Sequence, residues 1–445
     1  MFSNRDLRKL LIPLILEQLL SGLMGIADTM MVTTVGDTAI SAVSCVDSIN
    51  MLVLYLVSAL ATGGTIICSQ YLGRKDRKNA ILAGQQVFLV AITLSVAIMV
   101  VFLLFRRQLL VLIFGQVEQS IMNQAMDYFL ITIISYPFLA LQQTSAAQFR
   151  AGGNSKLPML VTAVANVTNV AGNALLIFVF EWGVVGAAVA TLISRILNAV
   201  ILLICQRNET LPIPFRNYFQ IRPEKRLIGM VCRIAIPTGV ENGLFQLGKL
   251  LVQSTVATLG TTAIAAQAMT HTLDTIQSLP SLAIGIGLLT VSGQCVGAGK
   301  LDEVKVNTKK LVFLSWGTLM VFSLILLALT NPICYLSGLS EDATALTVKM
   351  MVWIMIAKAL FWVPSFTLPN TLRAAGDVAF SAAVSAASMW IFRVLLSFLL
   401  CRVFGFGLEG IWIAWFADWV CRMCFYIWRY KSGRWTKKHV LEPVK

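Results

Sequence analysis

The chain repeats itself, half on half, at a spacing of 224 residues. Residues 12–42 lie over residues 236–266 without a gap, and 12 of the 31 aligned positions are identical. They include Ile12-Pro13, Glu17, Gly36 and Thr38-Ala39-Ile40 against Ile236-Pro237, Glu241, Gly260 and Thr262-Ala263-Ile264. The same offset carries Gln70 and Gly73 onto Gln294 and Gly297, and Gly183 and Gly186 onto Gly407 and Gly410. At an offset of 223, Arg150-Ala-Gly-Gly-Asn154 meets Arg373-Ala-Ala-Gly-Asp377. A duplication this long restricts the chain to two equivalent units about a pseudo-two-fold axis, with a site expected at or beside their interface.

Each unit is built of apolar stretches of roughly 20 residues or more, the length of a bilayer-crossing helix. The spacing predicts about twelve spans: 10–34, 42–72, 80–104, 125–148, 157–180, 184–206, 230–258, 264–296, 308–331, 345–368, 379–401 and 408–429. With 57% hydrophobic and 13% charged residues, the chain lacks the charge to cover a soluble surface. Barrel strands would alternate apolar and polar residues, and no such pattern occurs. The expected fold is an all-α polytopic membrane protein, about twelve transmembrane helices in two pseudo-symmetric six-helix bundles. Met1–Leu20 reads as the entry to the first span, because Glu17 interrupts the apolar run and no small-residue cleavage site follows.

The net charge of +14 has a topological explanation. Basic residues concentrate in alternate loops: Arg5, Arg8 and Lys9 before span one, Arg74 to Lys78 after span two, Arg207 to Arg233 after span six, Lys300 to Lys310 after span eight, and Lys431 to Lys438 at the end. Asp37, Glu181, Glu341, Asp342 and Glu409 occupy the opposite loops, while Arg106, Arg107 and Arg402 run against the pattern. The positive-inside rule then places both termini in the cytoplasm of a bacterial plasma membrane. Cation retention near cytosolic lipid accounts for the charge, so nucleic acid is not an expected partner. Nine cysteines, mostly within spans, form no disulfide framework, and Cys421-Arg-Met-Cys424 lies on an apolar helix without a second pair.

Residues 206–229 are the longest polar interruption and carry Pro212, Pro214 and Pro223 among basic residues. The expected organisation is an N-terminal six-helix lobe over 1–206, a cytoplasmic linker over 207–229, and a C-terminal lobe and tail over 230–445. Six spans return the chain to its starting side, so the lobes are parallel repeats.

Polar groups inside spans carry the functional argument, since each is expensive in lipid. Glu17, Ser21, Gly25 and Asp28 fall on one face of span one, and Thr162, Asn166, Asn169 and Asn173 form a stripe on span five. Amide stripes alone suit helix–helix adhesion. The repeat separates scaffold from function: Glu17 has Glu241 as its counterpart, but Asp28 has Val252, and the span-five amides meet Met389, Phe392 and Leu396 or their neighbours. The Asp-plus-amide set therefore exists only in the first half and points to an ion site there. Desolvation disfavours a bare carboxylate, which suits Asp28 to a proton cycle. Alternatively, Asp28 and the amide oxygens of Asn169 and Asn173 coordinate sodium, a hard cation that takes oxygen ligands.

The second half carries a different set: Glu241, Asn242, Gln246, Lys249 and Gln253 on span seven, Gln267, His271, Asp274 and Gln277 on span eight, and Lys358, Arg393, Asp418 and Arg422 later. A charge network is the simplest reading of Lys249, Arg393 and Arg422, and His271 reads as a packing histidine. Glu241, Gln246 and Lys249, with Asn166, are candidate substrate contacts, Glu241 for a cationic ligand. Pro13, Pro237, Pro280 and Pro364 interrupt apolar helices and supply bends. Enzyme chemistry is not supported: Gly297-Ala-Gly-Lys300 is too short for a P-loop, no HExxH occurs, and of two histidines His439 lies in the tail. No cofactor is expected.

At Pro13…Ala27-Asp28-Thr29, Gln70-Tyr71-Leu72-Gly73, Arg150-Ala-Gly-Gly-Asn154, Asn169…Asn173 and the Pro237…Glu241 repeat, the chain resembles the multidrug and toxic compound extrusion (MATE) family of secondary transporters. The resemblance covers nearly the whole chain. It implies a monomeric proton- or sodium-coupled antiporter that exports organic, often cationic, small molecules. It further implies that the span-one acid of the family's coupling site is Asp28, that its span-five Asn-x-x-x-Asp is Asn169…Asn173 with Asn in place of the second acid, and that its span-six Thr is Thr191. A lipid-linked sugar flippase of the wider superfamily is the alternative transporter, for which Lys249, Lys358 and Arg393 would face a pyrophosphate. A membrane enzyme or receptor without flux is the alternative from another class.

Overall fold

A computed structural model describes residues 2–115, 117–215, 218–438 and 440–441. Arg216 of the basic linker and His439 of the tail lie outside the described residues. The described chain is helical, with no strand among its residues.

Twelve helical segments follow one another, one over each expected span. In the first half they are α1 (Asn4–Thr33), α2 (Asp37–Gly73), α3 (Arg77–Phe114), α4 (Gln119–Ile134 continued by Tyr136–Ala151), α5 (Lys156–Val179) and α6 (Gly183–Gln206). In the second half they are α7 (Lys225–Val256), α8 (Thr261–Gly297), α9 (Leu301–Leu336), α10 (Glu341–Ala374), α11 (Val378–Val403) and α12 (Gly407–Lys431). Nine are individually long and apolar enough to cross a membrane, and α4 makes a tenth if its two pieces count as one span bent by 45° at Ser135. The bend precedes Pro137, whose ring disfavours helical backbone before it. The two segments that fall short, α7 and α12, are also the ones that carry Glu241 and Lys249, and Asp418 and Arg422.

The chain resolves into two compact units, Ser3–Gly239 and Val240–Lys445, so the division falls inside α7. Each unit contains the same local devices. The turns into α2 and α8 use Gly36 and Gly260, at φ 127° and 92°, and those into α6 and α12 use Gly183 and Gly407, at φ 54° and 57°. Side-chain-bearing residues avoid that region, which explains why these four glycines recur at the repeat spacing. Gly186 lies so close to Leu176 that an added Cβ would stand 3.0 Å from its side chain, and Gly410 repeats the contact with Leu400 at 2.9 Å. The buried ion pair is duplicated as well. Arg150 on α4 donates to Glu17 on α1 at 3.0 Å, and Arg373 on α10 donates to Glu241 on α7 at 2.6 Å.

The linker is fastened to the N-terminal unit. The Arg77 guanidinium at the start of α3 donates to the carbonyls of Glu209, Leu211 and Pro212, and Gln86 bonds the backbone of Arg222 and Glu224. Phe215 and Tyr218 pack with Phe88 of α3. Prolines keep the segment from becoming helix, and these side chains supply the partners its backbone would otherwise lack.

Candidate functional site

In the N-terminal unit α5 packs against α1 and α6. This brings the one acid in the deep half of α1 against the amide stripe of α5. Asn173 Nδ2 donates to Asp28 Oδ1 at 2.6 Å and also reaches Asn169 Oδ1 at 3.1 Å. Asn169 Nδ2 in turn donates to Thr191 Oγ1 on α6 at 3.3 Å. The four residues form one chain of hydrogen bonds, Thr191–Asn169–Asn173–Asp28. Asn169 and Asn173 are buried, and Asn173 Oδ1 is a buried acceptor with no hydrogen-bond partner. Below Asn173 the helix widens into π-helical turns over Ala174–Val179, a local adjustment often found beside functional groups.

Asp28, Asn173 and Thr191 border a cavity of about 390 Å³. Its wall contains charged groups that the sequence reading passed over. Asp47 on α2 accepts from Asn50 at 3.0 Å and lies 3.4 Å from the Tyr128 hydroxyl of α4. Asn50 Oδ1 accepts from Tyr136 at 2.8 Å, and Arg195 on α6 is held at Ser135 by a bond of 2.6 Å. Two carboxyls and one guanidinium thus share a cavity that Asp28 was expected to dominate. The signals were present: Asp47 precedes Asn50 by three residues, and Arg195 follows Thr191 by four, so each pair shares a helix face.

The other proposed contacts are placed elsewhere. Asn166 donates to the Leu20 carbonyl of α1 at 3.2 Å, a helix–helix tie one turn above the site. Glu241 is held by Arg373 with both carboxylate oxygens, whereas Glu17 takes Arg150 through Oε1 alone. Lys249 sits over the Phe245 ring at 5.3 Å, and Gln246 is half-buried on the same helix. His271 meets Trp415 edge to face at 6.4 Å. Among the described residues no group of three or more His, Cys, Asp or Glu converges as a metal site.

The second half has no acid at the matching place. Val252, the counterpart of Asp28, is buried in an apolar cluster with Leu273, Met350, Ile354 and Trp412.

A family model described as MatE matches residues 13–175 and again 237–399, two matches set 224 residues apart, the spacing of the repeat. The chain belongs to the MatE family. It is a multi-pass membrane transporter and not an enzyme. A relative named "Uncharacterized transporter YisQ", from Bacillus subtilis, is 29% identical over 96% of this chain and 94% of its own. The "Probable multidrug resistance protein NorM" of Thermotoga maritima is 26% identical over 99% and 96%. Among solved structures, a MATE transporter in complex with MaD3S superposes with a TM-score of 0.90 at 16% identity, covering 98% of this chain and 97% of the other, which establishes the twelve-helix fold.

Proposed function

We propose that this MatE transporter is a secondary active antiporter that exports small organic compounds in exchange for protons or sodium ions, by alternating access of its two lobes. The observation that carries the reading is the bond from Asn173 to Asp28 at the wall of the N-terminal cavity, in a duplicated fold whose other half holds Val252 instead. An amide donor favours the ionised carboxylate, and the bond weakens when Asp28 is protonated. For sodium, the Asp28 carboxylate and the unpartnered Asn173 Oδ1 offer the hard oxygen donors the ion needs. Either ion removes the same negative charge, and its differential affinity for the two states of the carrier drives export. The relative named for multidrug resistance supports drug-like cargo. The loop charges support cytoplasmic termini in a bacterial plasma membrane, and we read the carrier as a monomer.

The experiment is dye accumulation in inside-out vesicles under imposed proton or sodium gradients, with ethidium and fluorescein as probes, comparing wild type and Asp28→Asn. Gradient-driven accumulation of either dye that disappears in the variant supports the reading and identifies the ion. Ion-dependent accumulation that survives in Asp28→Asn refutes it.

A further inference from the structure

The C-terminal unit holds more buried cations than its own acids can match. Lys249, Lys358, Arg393 and Arg422 stand within its spans, against Asp274 and Asp418. Two of the cations are fully occupied. Lys358 is buried and bound by Asp274 at 2.7 Å, with Gln277 and Ser278 as further acceptors. Arg422 is bound by Asp418 at 2.8 Å and by Ser385. Glu241, the remaining acid nearby on α7, is engaged by Arg373.

Arg393 must share Asp418 with Arg422, and Lys249 is left over. Arg393 is only 4% exposed, and its Nε lies 3.3 Å from Asp418 Oδ2 in an orientation that makes no hydrogen bond, so both atoms are buried without one. Among the described residues Lys249 forms no ion pair; it rests on Phe245, half-buried. The guanidinium carbons of Arg393 and Arg422 lie 5.2 and 5.6 Å from the centre of the same ring, which places three cations around one aromatic side chain. The Trp415 ring covers Arg393 at 4.3 Å, and its indole N–H is buried with no partner. Donors therefore outnumber acceptors, and positive charge exceeds negative, at one place among α7, α11 and α12.

Cations in excess of acids inside a membrane are expensive and mark functional sites. Lys249 is not part of the duplicated scaffold, since it stands where the first half has Gly25. We propose that this cluster binds an oxyanion, a carboxylate, sulfate or phosphate, carried on an aromatic body, and that the cargo of this transporter is therefore an organic anion. Lys249 meets the anion at the accessible edge, Arg393 and the Trp415 indole N–H supply the buried donors, and Phe245 and Trp415 stack the ring. Resemblance to drug exporters implies cationic cargo, and the charge of this lobe favours the opposite sign. The inference rests on the transporter reading but concerns binding alone.

The test is fluorescence anisotropy on the full chain in nanodiscs, with fluorescein at mildly alkaline pH and rhodamine 123 as its cationic xanthene analogue. Wild type is expected to bind fluorescein more tightly than rhodamine 123. Lys249→Gln and Arg393→Gln are each expected to weaken fluorescein about tenfold or more and to leave rhodamine 123 no weaker. Lys249 has no ion pair to lose, so Lys249→Gln decides the matter if Arg393→Gln does not fold. Absence of fluorescein binding, tighter binding of rhodamine 123, or fluorescein binding unchanged in Lys249→Gln overturns the proposal. No ion gradient enters the measurement, so a carrier whose coupling does not run through Asp28 still reports on this site.

Discussion

Asn173 donates its amide hydrogen to the Asp28 carboxylate at 2.6 Å while its own amide oxygen, buried, accepts nothing. One side chain thus donates to the acid and holds a second, unpartnered oxygen beside it.

That arrangement makes Asn173→Leu a discriminator of the coupling ion. A hydrogen bond to a charged group is worth about 1.5–3 kcal/mol, so the half-saturating ion concentration should move about tenfold or more. The directions differ. A sodium-driven carrier needs more sodium, having lost an oxygen ligand. A proton-driven carrier is saturated at a lower proton concentration, because the ionised form of Asp28 has lost the donor that favoured it. Transport rate against sodium and against pH reads the sign; an unchanged dependence on both places coupling away from Asn173.

Arg195 borders the same cavity as Asp28 and Asp47. A fixed guanidinium there opposes entry of a second cation. Arg195→Gln should tighten apparent sodium affinity severalfold, measured as the sodium dependence of dye transport. Weaker sodium dependence in the variant would assign Arg195 to holding Ser135 and α4 instead.

The ion pairs Arg150–Glu17 and Arg373–Glu241 should prove structural. Removing one partner leaves the other buried and uncompensated, at a cost of about 3 kcal/mol. Thermal unfolding in detergent should show Glu17→Gln and Arg150→Met each destabilising and the double variant less than additive. Additive losses would mean that the pair is not a unit.

Close helix approach at Gly186 and Gly410 predicts that Gly186→Ala and Gly410→Ala each lower stability by about 1–3 kcal/mol. Gly317, in the interior of α9 with nothing within 4 Å of an added Cβ, is the control. Gly317→Ala should be neutral or stabilising by up to about 1 kcal/mol. The same melts decide the comparison.

The sequence alone determined the duplicated all-helical fold, the twelve segments, and the restriction of the Asp-plus-amide set to the first half. These follow from periodicity and chain offset, which require no knowledge of how helices pack. Gly36 and Gly260 recur because a turn needs positive φ, and Asp28 stands out because lipid penalises a carboxylate. Partner choice across helices was decided only by the tertiary structure. Whether Glu241 is free for a cationic ligand or engaged depends on which helix faces it, and α10 delivers Arg373. Asp47 and Arg195 enter the cavity for the same reason, since α2, α4 and α6 close around α1 in space and not in sequence. The excess of positive charge around Lys249 and Arg393 is likewise a property of packing: a composition counts cations, but only the fold shows which acids they have to share.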